Sequence, residues 1–333
     1  MAQVPTPVAD RHLHSEWSWD AAQGDMMATC ARAVELGLSA LAFTEHADFT
    51  LWVSRPPVAE AASAGPSAAR GGSPGPGGST KDPGPPGRSA PGAGRTWSTG
   101  RVPGRRWPAR VPAASRTGDL DIAGYWAALE RCRGAYPSLR IESGIELGEP
   151  HLFPDRAAEL LAQRPLDRVL GSLHCIEVDG ELVDMSVPGV LEAGVAHGRF
   201  RGYLLATLAL VESGAPFAIL THLDYPKRYW PHSEVRFDER DFEEEYRAVL
   251  AALARSGRAL EVNSSRAMAA PRAPSPGLLP LRWWHEEGGG AVSFGSDAHR
   301  PQDLGAGLVD AAQLAEAAGF RPGRDPLALW CRA

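Results

Sequence analysis

The chain has 333 residues, of which 44% are apolar, and it carries a net charge of −6. That length suits one large globular domain or two small ones, and a barrel enzyme of about 250 residues with extra segments fits it. No apolar run reaches about 18 residues, and the first residues lack a basic and then apolar leader, so we expect no transmembrane helix, no signal peptide and a cytoplasmic location.

The four cysteines lie far apart in the sequence and form no CxxC pair. Such a pattern is typical of reduced thiols in a cytosolic protein and argues against a disulfide framework. The positions are Cys30, Cys132, Cys175 and Cys331.

The chain begins with a strand-like run, ADRHLH, which ends on His12 and His14. An amphipathic helical pattern, GDMMATCARAVELG, follows it, and Gly37 suits the C-cap of that helix. The next strand-like run, SALAFTEH, ends on His46. The chain therefore opens with a strand, a helix and a second strand, and both strands end on histidine.

Residues 55–117 differ from everything around them, because Pro, Gly, Ala, Ser and Arg dominate and no apolar period is visible. Such a segment cannot bury enough apolar surface to offset the entropy of ordering it, so we predict a disordered insertion. It holds ten Lys and Arg against two acidic residues, which leaves 24 basic and 38 acidic residues elsewhere. The acidic remainder argues against a nucleic-acid partner, although a basic arm around GRRWPAR is the alternative interpretation.

Five further strand-like runs follow the insertion, and each comes after a helical pattern. They are LRIESGIELGEP, DRVLGSLHCIE, APFAILTHLDYP, RALEVNSS and GGAVSFGSDAH. With the first two runs this makes seven strands separated by helices. Repeated β-then-α order predicts an α/β fold with a parallel sheet, and seven units favour a closed barrel over the alternative, a doubly wound open sheet.

The apolar part of each run stops at a polar residue that can bind a metal ion or a substrate. Because the carboxyl ends of all strands in a parallel barrel lie on one face, these side chains are expected to converge there. Side chains alternate along a strand, so the two histidines of the first run point the same way. The strand-end residues are His12, His14, His46, Glu146, His174, His222, Asn263, Asp297 and His299.

Histidine and carboxylate are the ligands expected for Zn²⁺, Mn²⁺ or Fe, and no cysteine lies at these strand ends. A mixed set of this kind also holds two or more ions side by side, which activate water and neutralise phosphoryl charge. Six of the ten histidines lie at strand ends. The other four fall in loops or helical patterns and are assigned no role: His151, His197, His232 and His285.

The motifs HLHSEWSWD, FTEHAD, GIELGEP, GSLHCI, THLDYPKRYW and FGSDAH, in this order, resemble those of the PHP (polymerase and histidinol phosphatase) superfamily. The resemblance is greatest to its monofunctional histidinol-phosphatase branch. It covers residues 10–54 and about 119–300. It implies a distorted (β/α)7 TIM-like barrel formed by one discontinuous domain, residues 1–54 and 118–333, with the insertion at 55–117 outside it.

The resemblance also implies a site for three divalent ions, Zn, Mn or Fe. The implied ligands are His12, His14, Glu146 and Asp297 for the first ion, Glu146, His174 and His222 for the second, and Asp20, His46 and His299 for the third. Asp20 has an alternative role, because a loop aspartate also caps a following helix. The implied activity is hydrolysis of L-histidinol phosphate in histidine biosynthesis, with Asp297, His174 and Glu146 required for catalysis.

A cation is also expected to orient the phosphate of the substrate. Arg228 and Lys227 follow THLDYP, and Arg266 follows EVNSS. Arginine offers phosphate a bidentate fork, whereas the alternative for each residue is an ordinary solvated charge. Trp17 and Trp19 either pack the rim of the site or contact the substrate, and packing is the favoured interpretation.

Two other functions compete with this hypothesis. One is a phosphoesterase of the same superfamily that acts on nucleotides or nucleic-acid ends. The other is a non-catalytic protein in which the metals are structural and the basic insertion recruits a partner. A small phosphate monoester remains the expected partner, and no membrane partner is expected.

Overall fold

The computed structural model describes residues 8–49, 120–265 and 274–333. The predicted insertion at 55–117 and the phosphate-binding candidate Arg266 therefore lie outside the described residues, and the division into domains stays a prediction. None of the helices within the described residues is long and apolar enough to span a membrane.

Strands and helices alternate along most of the described chain. In chain order they are β1 (Asp10–Leu13), α1 (Met26–Glu35), β2 (Ala40–Asp48), α2 (Ile122–Ala135), β3 (Arg140–Gly148), α3 (Pro154–Gln163), β4 (Arg168–Ser172), β5 (Cys175–Val178), β6 (Glu181–Asp184), α4 (Ala196–Glu212), β7 (Ile219–Leu220), α5 (Glu243–Arg255), β8 (Ala259–Asn263), α6 (Leu278–Glu286), β9 (Ala291–Gly295), α7 (Leu308–Ala317), β10 (Phe320–Arg321) and β11 (Trp330–Arg332). Three short 3-10 helices lie at Tyr225–Tyr229, Glu239–Phe242 and Pro301–Asp303.

Seven parallel strands form a curled sheet in the order β1, β2, β3, β4, β7, β8 and β9. The antiparallel strands β11 and β10 continue the sheet beyond β9. Two backbone hydrogen bonds join the segment after β9 to the end of β1 and close the sheet. Asp297 N–H donates to His12 O (2.9 Å), and His14 N–H donates to Ala298 O (2.9 Å). The prediction of a distorted (β/α)7 barrel is thus confirmed, and the doubly wound alternative is wrong.

The first helix shows how local sequence fixes the elements of the barrel. The side chain of Asp25 accepts a hydrogen bond from Ala28 N–H (2.8 Å) and caps the N-terminus of α1, which is worth about 1 kcal/mol. Gly37 follows the helix with a φ of 71°, a conformation that glycine adopts without a steric penalty. Met26 and Cys30, one turn apart, are fully buried and turn the apolar face of α1 toward the sheet.

One part of the fold differs from the sequence-based prediction. The run DRVLGSLHCIE, read as one strand, is two: β4 ends at Ser172, and Cys175–Val178 pairs with Glu181–Asp184 as the antiparallel hairpin β5–β6. Asp179 and Gly180 make its two-residue turn with φ values of 54° and 86°, as hairpins with Asp-Gly turns do. The hairpin begins directly after His174.

Candidate metal centre

The structure brings all nine predicted metal ligands together at the carboxyl end of the barrel. Seven of them are buried, while the side chains of Asp20 and His299 are 28% and 30% exposed. Asp20 lies in the loop between β1 and α1, so its position is set by tertiary contacts rather than by a strand. The nine residues are His12, His14, Asp20, His46, Glu146, His174, His222, Asp297 and His299.

Glu146 lies at the centre of the cluster and contacts different histidines with its two oxygens. Its Oε2 is 3.0 Å from His12 Nε2 and 3.3 Å from His14 Nε2. Its Oε1 is 2.9 Å from His222 Nε2 and 3.4 Å from His174 Nε2. One carboxylate therefore joins two groups of histidines, which is the geometry of a bridging ligand.

A second carboxylate organises the outer part of the cluster. Asp20 Oδ2 is 2.9 Å from His299 Nε2 and 3.4 Å from His46 Nε2. The ring of His46 stacks on that of His14 with their centroids 4.1 Å apart. Asp297 lies between the two parts, because its Oδ1 is 3.3 Å from His14 Nε2 and 3.7 Å from His299 Nδ1.

The positions of His222 and Asp297 require an unusual backbone. Each residue lies two positions after the end of a strand, β7 or β9, and the two have left-handed φ values of 56° and 54°. For residues with a side chain this conformation costs about 1 kcal/mol or more, and it concentrates at functional sites. The local geometry is therefore maintained by surrounding contacts, one of which is the bond from Asp297 N–H to His12 O.

The protonation of His12 and His14 can be deduced from their second ring nitrogens. Glu261 Oε1 accepts a hydrogen bond from His12 Nδ1–H (2.6 Å). Ser18 Oγ donates to Glu45 Oε2 (2.5 Å), so it accepts at its 3.0 Å contact with His14 Nδ1–H. In neutral rings both Nε2 atoms therefore carry lone pairs, although they are only 3.1 Å apart. A proton on one of the two nitrogens, or a metal ion bound to both, removes the repulsion between the lone pairs.

The spacing of the donor atoms fits metal coordination. For metal–ligand bonds of about 2.1 Å, neighbouring ligand atoms lie about 3.0–3.4 Å apart, close to the distances within the cluster. Glu146 Oε1 and His222 Nδ1 are buried and make no hydrogen bond among the described residues, although Glu146 Oε1 lies 2.9 Å from His222 Nε2. Four triads have donor atoms within 4.8 Å of one another: His14, His46 and His299; His12, Glu146 and His222; His12, His14 and Asp297; His46, Asp48 and His174.

The carboxylates and histidines of the cluster shift one another's pKa values strongly. Burial alone would lower the pKa of His46, but Asp20, Asp48 and Glu146 raise it to about 10. Burial would raise the pKa of Glu146, but the neighbouring histidines hold it well below its usual range. Without a metal ion the carboxylates therefore stay ionised and keep protons on His12, His46 and His174, so protons occupy the place of a divalent cation there.

Sequence reasoning missed two carboxylates that contact the predicted ligands. Asp48 is the last residue of β2, and its oxygens lie 3.4 Å from His46 Nδ1 and 3.6 Å from His174 Nδ1. Glu261 lies in the buried strand β8 and binds His12, as described above. Both left a signal in the sequence, because Asp48 follows His46 at the two-residue spacing of one strand face, and Glu261 is a charged residue inside an apolar strand.

The three candidate phosphate-binding cations have different positions. Arg228 joins the cluster: its Nη1 is 3.1 Å from Asp297 Oδ2, and its Nη2 donates to Asn263 Oδ1 (2.7 Å). Lys227 instead pairs with Glu239 (2.6 Å) and lies 3.8 Å from Asp224. Arg266 lies outside the described residues.

The two tryptophans of the first loop also have different positions. Trp17 is partly buried and packs against the core that contains α1 and α2. Trp19 is 39% exposed, donates from Nε1 to Asp48 Oδ2 (2.8 Å) and lies 6.1 Å from the His46 ring. Beside this loop a cavity of about 820 Å³, lined in part by Asp297 and His299, gives access to the cluster.

Comparisons with known proteins agree with this architecture. The chain is 26% identical over 205 residues to the histidinol-phosphatase of Lactococcus lactis subsp. lactis, a match that covers 60% of this chain and 74% of that protein. It is 32% identical over 110 residues to a Thermotoga maritima protein named "Probable histidinol-phosphatase", covering 33% of this chain and 44% of that one.

A solved structure shares the fold, and a family model matches most of the chain. The structure is histidinol phosphate phosphatase from Lactococcus lactis in complex with zinc, L-histidinol and phosphate. It superposes with a TM-score of 0.66 at 19% identity, covering 95% of both chains. The model of the PHP domain matches residues 10–265. The chain therefore belongs to the PHP domain family.

Proposed function

We propose that the chain is a metal-dependent phosphate-monoester hydrolase that converts L-histidinol phosphate and water to L-histidinol and phosphate, a reaction of histidine biosynthesis. The observation that carries the proposal is the convergence of six histidines and two aspartates around Glu146, at the face where barrel enzymes bind substrates. The substrate is proposed from the similarity to histidinol-phosphatases.

We further propose that the cluster holds three divalent ions, with zinc, manganese and iron as the candidates. The proposed sets are His12, His14, Glu146 and Asp297; Glu146, His174 and His222; and Asp20, His46 and His299. The distances support this division, since Glu146 joins the first two sets and Asp20 joins the two histidines of the third. Bound ions supply an activated water and neutralise charge on the phosphoryl oxygens.

The residues of the chain then have two kinds of task. Glu261 and Ser18 fix the ring tautomers of His12 and His14 so that both Nε2 atoms present lone pairs to the cluster. Asn263 and Asp297 hold the guanidinium of Arg228 at the edge of the cluster. From there the fork of Arg228 can bind two phosphoryl oxygens and orient the phosphorus. Asp297, His174 and Glu146 are the residues on which catalysis depends most.

The proposal is tested by measuring phosphate release after the protein is stripped of metal and reloaded with Zn²⁺, Mn²⁺ or Fe²⁺. We expect turnover of L-histidinol phosphate only with metal, and its loss in His174→Ala. The exposed His232 provides a matched control, so His232→Ala is expected to retain activity. Rapid turnover of other monoesters with none of L-histidinol phosphate would contradict the proposed substrate, and no hydrolysis with any metal would contradict the enzyme.

A further inference from the structure

The hairpin β5–β6 ends on Asp184, a buried carboxylate that the proposed metal sets do not use. Asp184 lies opposite Cys175 in the hairpin, and Met185 N–H donates to His174 O (3.0 Å). The residue is only 3% exposed. The hairpin therefore brings an additional buried carboxyl group next to the candidate metal centre.

The two oxygens of Asp184 have unequal surroundings. Its Oδ1 accepts hydrogen bonds from Ser186 N–H (2.6 Å) and from the Tyr225 hydroxyl (3.4 Å). Its Oδ2 is buried and has no hydrogen-bond partner among the described residues. Buried charges are ordinarily paired, because removing an ion from water without compensation is costly. Asp184 thus has the capacity to stabilise one more cation nearby.

A chain of hydroxyl groups connects Asp184 with a cavity. Tyr229 donates to the Tyr225 hydroxyl (3.1 Å), and Tyr225 donates to Asp184. Tyr229 lines a cavity of about 320 Å³ together with Arg228 and Trp230 on one side and the loop after β6 on the other. Because Arg228 also contacts Asp297, this cavity shares a wall with the candidate metal centre. Arg228 is thus common to the cavity and to the candidate metal centre.

We propose that this cavity receives the part of the substrate that does not carry the phosphate, and that Asp184 makes the enzyme selective for phosphate esters bearing a cationic amine. The inference rests on the proposed function, since L-histidinol phosphate has such an amine next to its ester. The negative charge of Asp184 attracts the ammonium group, and the Tyr225 and Tyr229 hydroxyls extend the polar path from the carboxylate to the cavity. The partly exposed ring of Tyr229 suits contact with an imidazole ring.

The test compares two esters that differ only in the amine: L-histidinol phosphate and 3-(imidazol-4-yl)propyl phosphate. Asp184→Asn keeps an oxygen for Ser186 N–H and removes the charge. We expect its kcat/KM for L-histidinol phosphate to fall about 10-fold or more, mainly through KM, and that for the amine-free ester to change less than about 2-fold. Tyr229→Phe, which shortens the hydroxyl chain at the cavity, is expected to show a smaller loss with the same selectivity.

Glu181→Gln is the matched control, because it removes a charge from an exposed position of the same hairpin and is expected to leave both esters unaffected. If Asp184→Asn does not fold, as judged by circular dichroism, Tyr229→Phe decides. Equal losses on both esters, or no loss on either, would overturn the role of Asp184 while L-histidinol phosphate remains the substrate. Failure of the wild-type protein to hydrolyse L-histidinol phosphate would instead overturn the proposed function itself.

Discussion

The two ends of the barrel both bury charged side chains, but they compensate them in different ways. At the amino end, Arg168 donates to Glu142 Oε2 (2.7 Å) and to the carbonyl of Leu327 (2.7 Å). Arg11 donates from Nη2 to the carbonyls of Pro326 (2.8 Å) and Ala328. The partners of these cations come from the chain itself, namely from a strand and from the segment that covers the barrel.

At the carboxyl end the chain supplies lone pairs that face one another. The 3.1 Å contact between His12 Nε2 and His14 Nε2 has no counterpart among the described charges of the amino end. Burial and the nearby Arg168 lower the pKa of Arg11 to about 9, but carbonyl oxygens still compensate its charge. The amino end thus compensates its cations with acceptors of the chain, although Arg11 Nε and Nη1 are buried without a hydrogen-bond partner among the described residues. The carboxyl end instead brings together acceptors that need protons or metal ions as their partners.

The largest loss of activity is expected from substitution of Asp297, which lies between the inner and outer parts of the cluster. Asp297→Asn removes the charge of a proposed metal ligand that also contacts Arg228, so we expect kcat/KM for L-histidinol phosphate to fall at least about 1,000-fold. Asp155→Asn, at an exposed position of α3, is the control. Steady-state assays of phosphate release check this, and a loss below about 10-fold would show that Asp297 is not an essential ligand.

A smaller effect, on metal affinity, is expected from substitution of Glu261, the carboxylate that accepts a hydrogen bond from His12. Glu261→Gln weakens the acceptor that fixes the His12 tautomer, so we expect metal affinity to fall about 10- to 100-fold while the fold is retained. Competition with a fluorescent chelator measures the affinity, and Glu212→Gln at an exposed site on α4 is the control. Unchanged affinity would mean that Glu261 serves only the packing of β8.

Metal binding is also expected to depend on pH. Because carboxylates raise the pKa of His46 to about 10, its ring carries a proton at neutral pH in the metal-free protein. A metal ion must displace that proton, so apparent affinity rises with pH up to about 10, roughly tenfold per pH unit for each proton released. Calorimetry in buffers of different ionisation enthalpy measures the release, and affinity independent of pH would contradict a protonated cluster.

A substitution at the amino end of the barrel is expected to lower the stability of the protein and to leave its activity unchanged. Glu142→Gln leaves Arg168 without its ionic partner, so we expect the free energy of unfolding to fall by about 2 kcal/mol. The kcat/KM of the folded variant should stay within about 2-fold of wild type. Glu130→Gln, in an exposed pair with Arg133, is the control and should cost less than about 0.5 kcal/mol. A large loss of activity in Glu142→Gln would remove the contrast between the ends.

Much of the site could be predicted from the sequence because most of its residues lie at the carboxyl ends of strands. The apolar runs determine where each strand stops, and the barrel brings those ends together, which placed His12, Glu146, His174 and Asp297 in one cluster. Asp20 lies in a loop, so only the family resemblance indicated that it joins His46 and His299.

Other features depend on tertiary contacts that leave no periodic signal. Lys227 and Arg228 are adjacent and both cationic, but only Arg228 reaches Asp297, because the acidic Glu239 engages Lys227. The β5–β6 hairpin was missed because its first strand follows β4 after only two residues, which made one continuous apolar run. Its Asp-Gly turn was the signal that could have separated the two strands.

Elemental analysis of the purified, dialysed protein tests the central claim most directly. The carboxyl end is proposed to be completed by divalent ions, so we predict about three ions of zinc, manganese or iron per chain and a clear reduction in His174→Ala, with no change in His232→Ala. A wild-type chain that hydrolyses L-histidinol phosphate at full rate while holding no divalent ion would contradict the account.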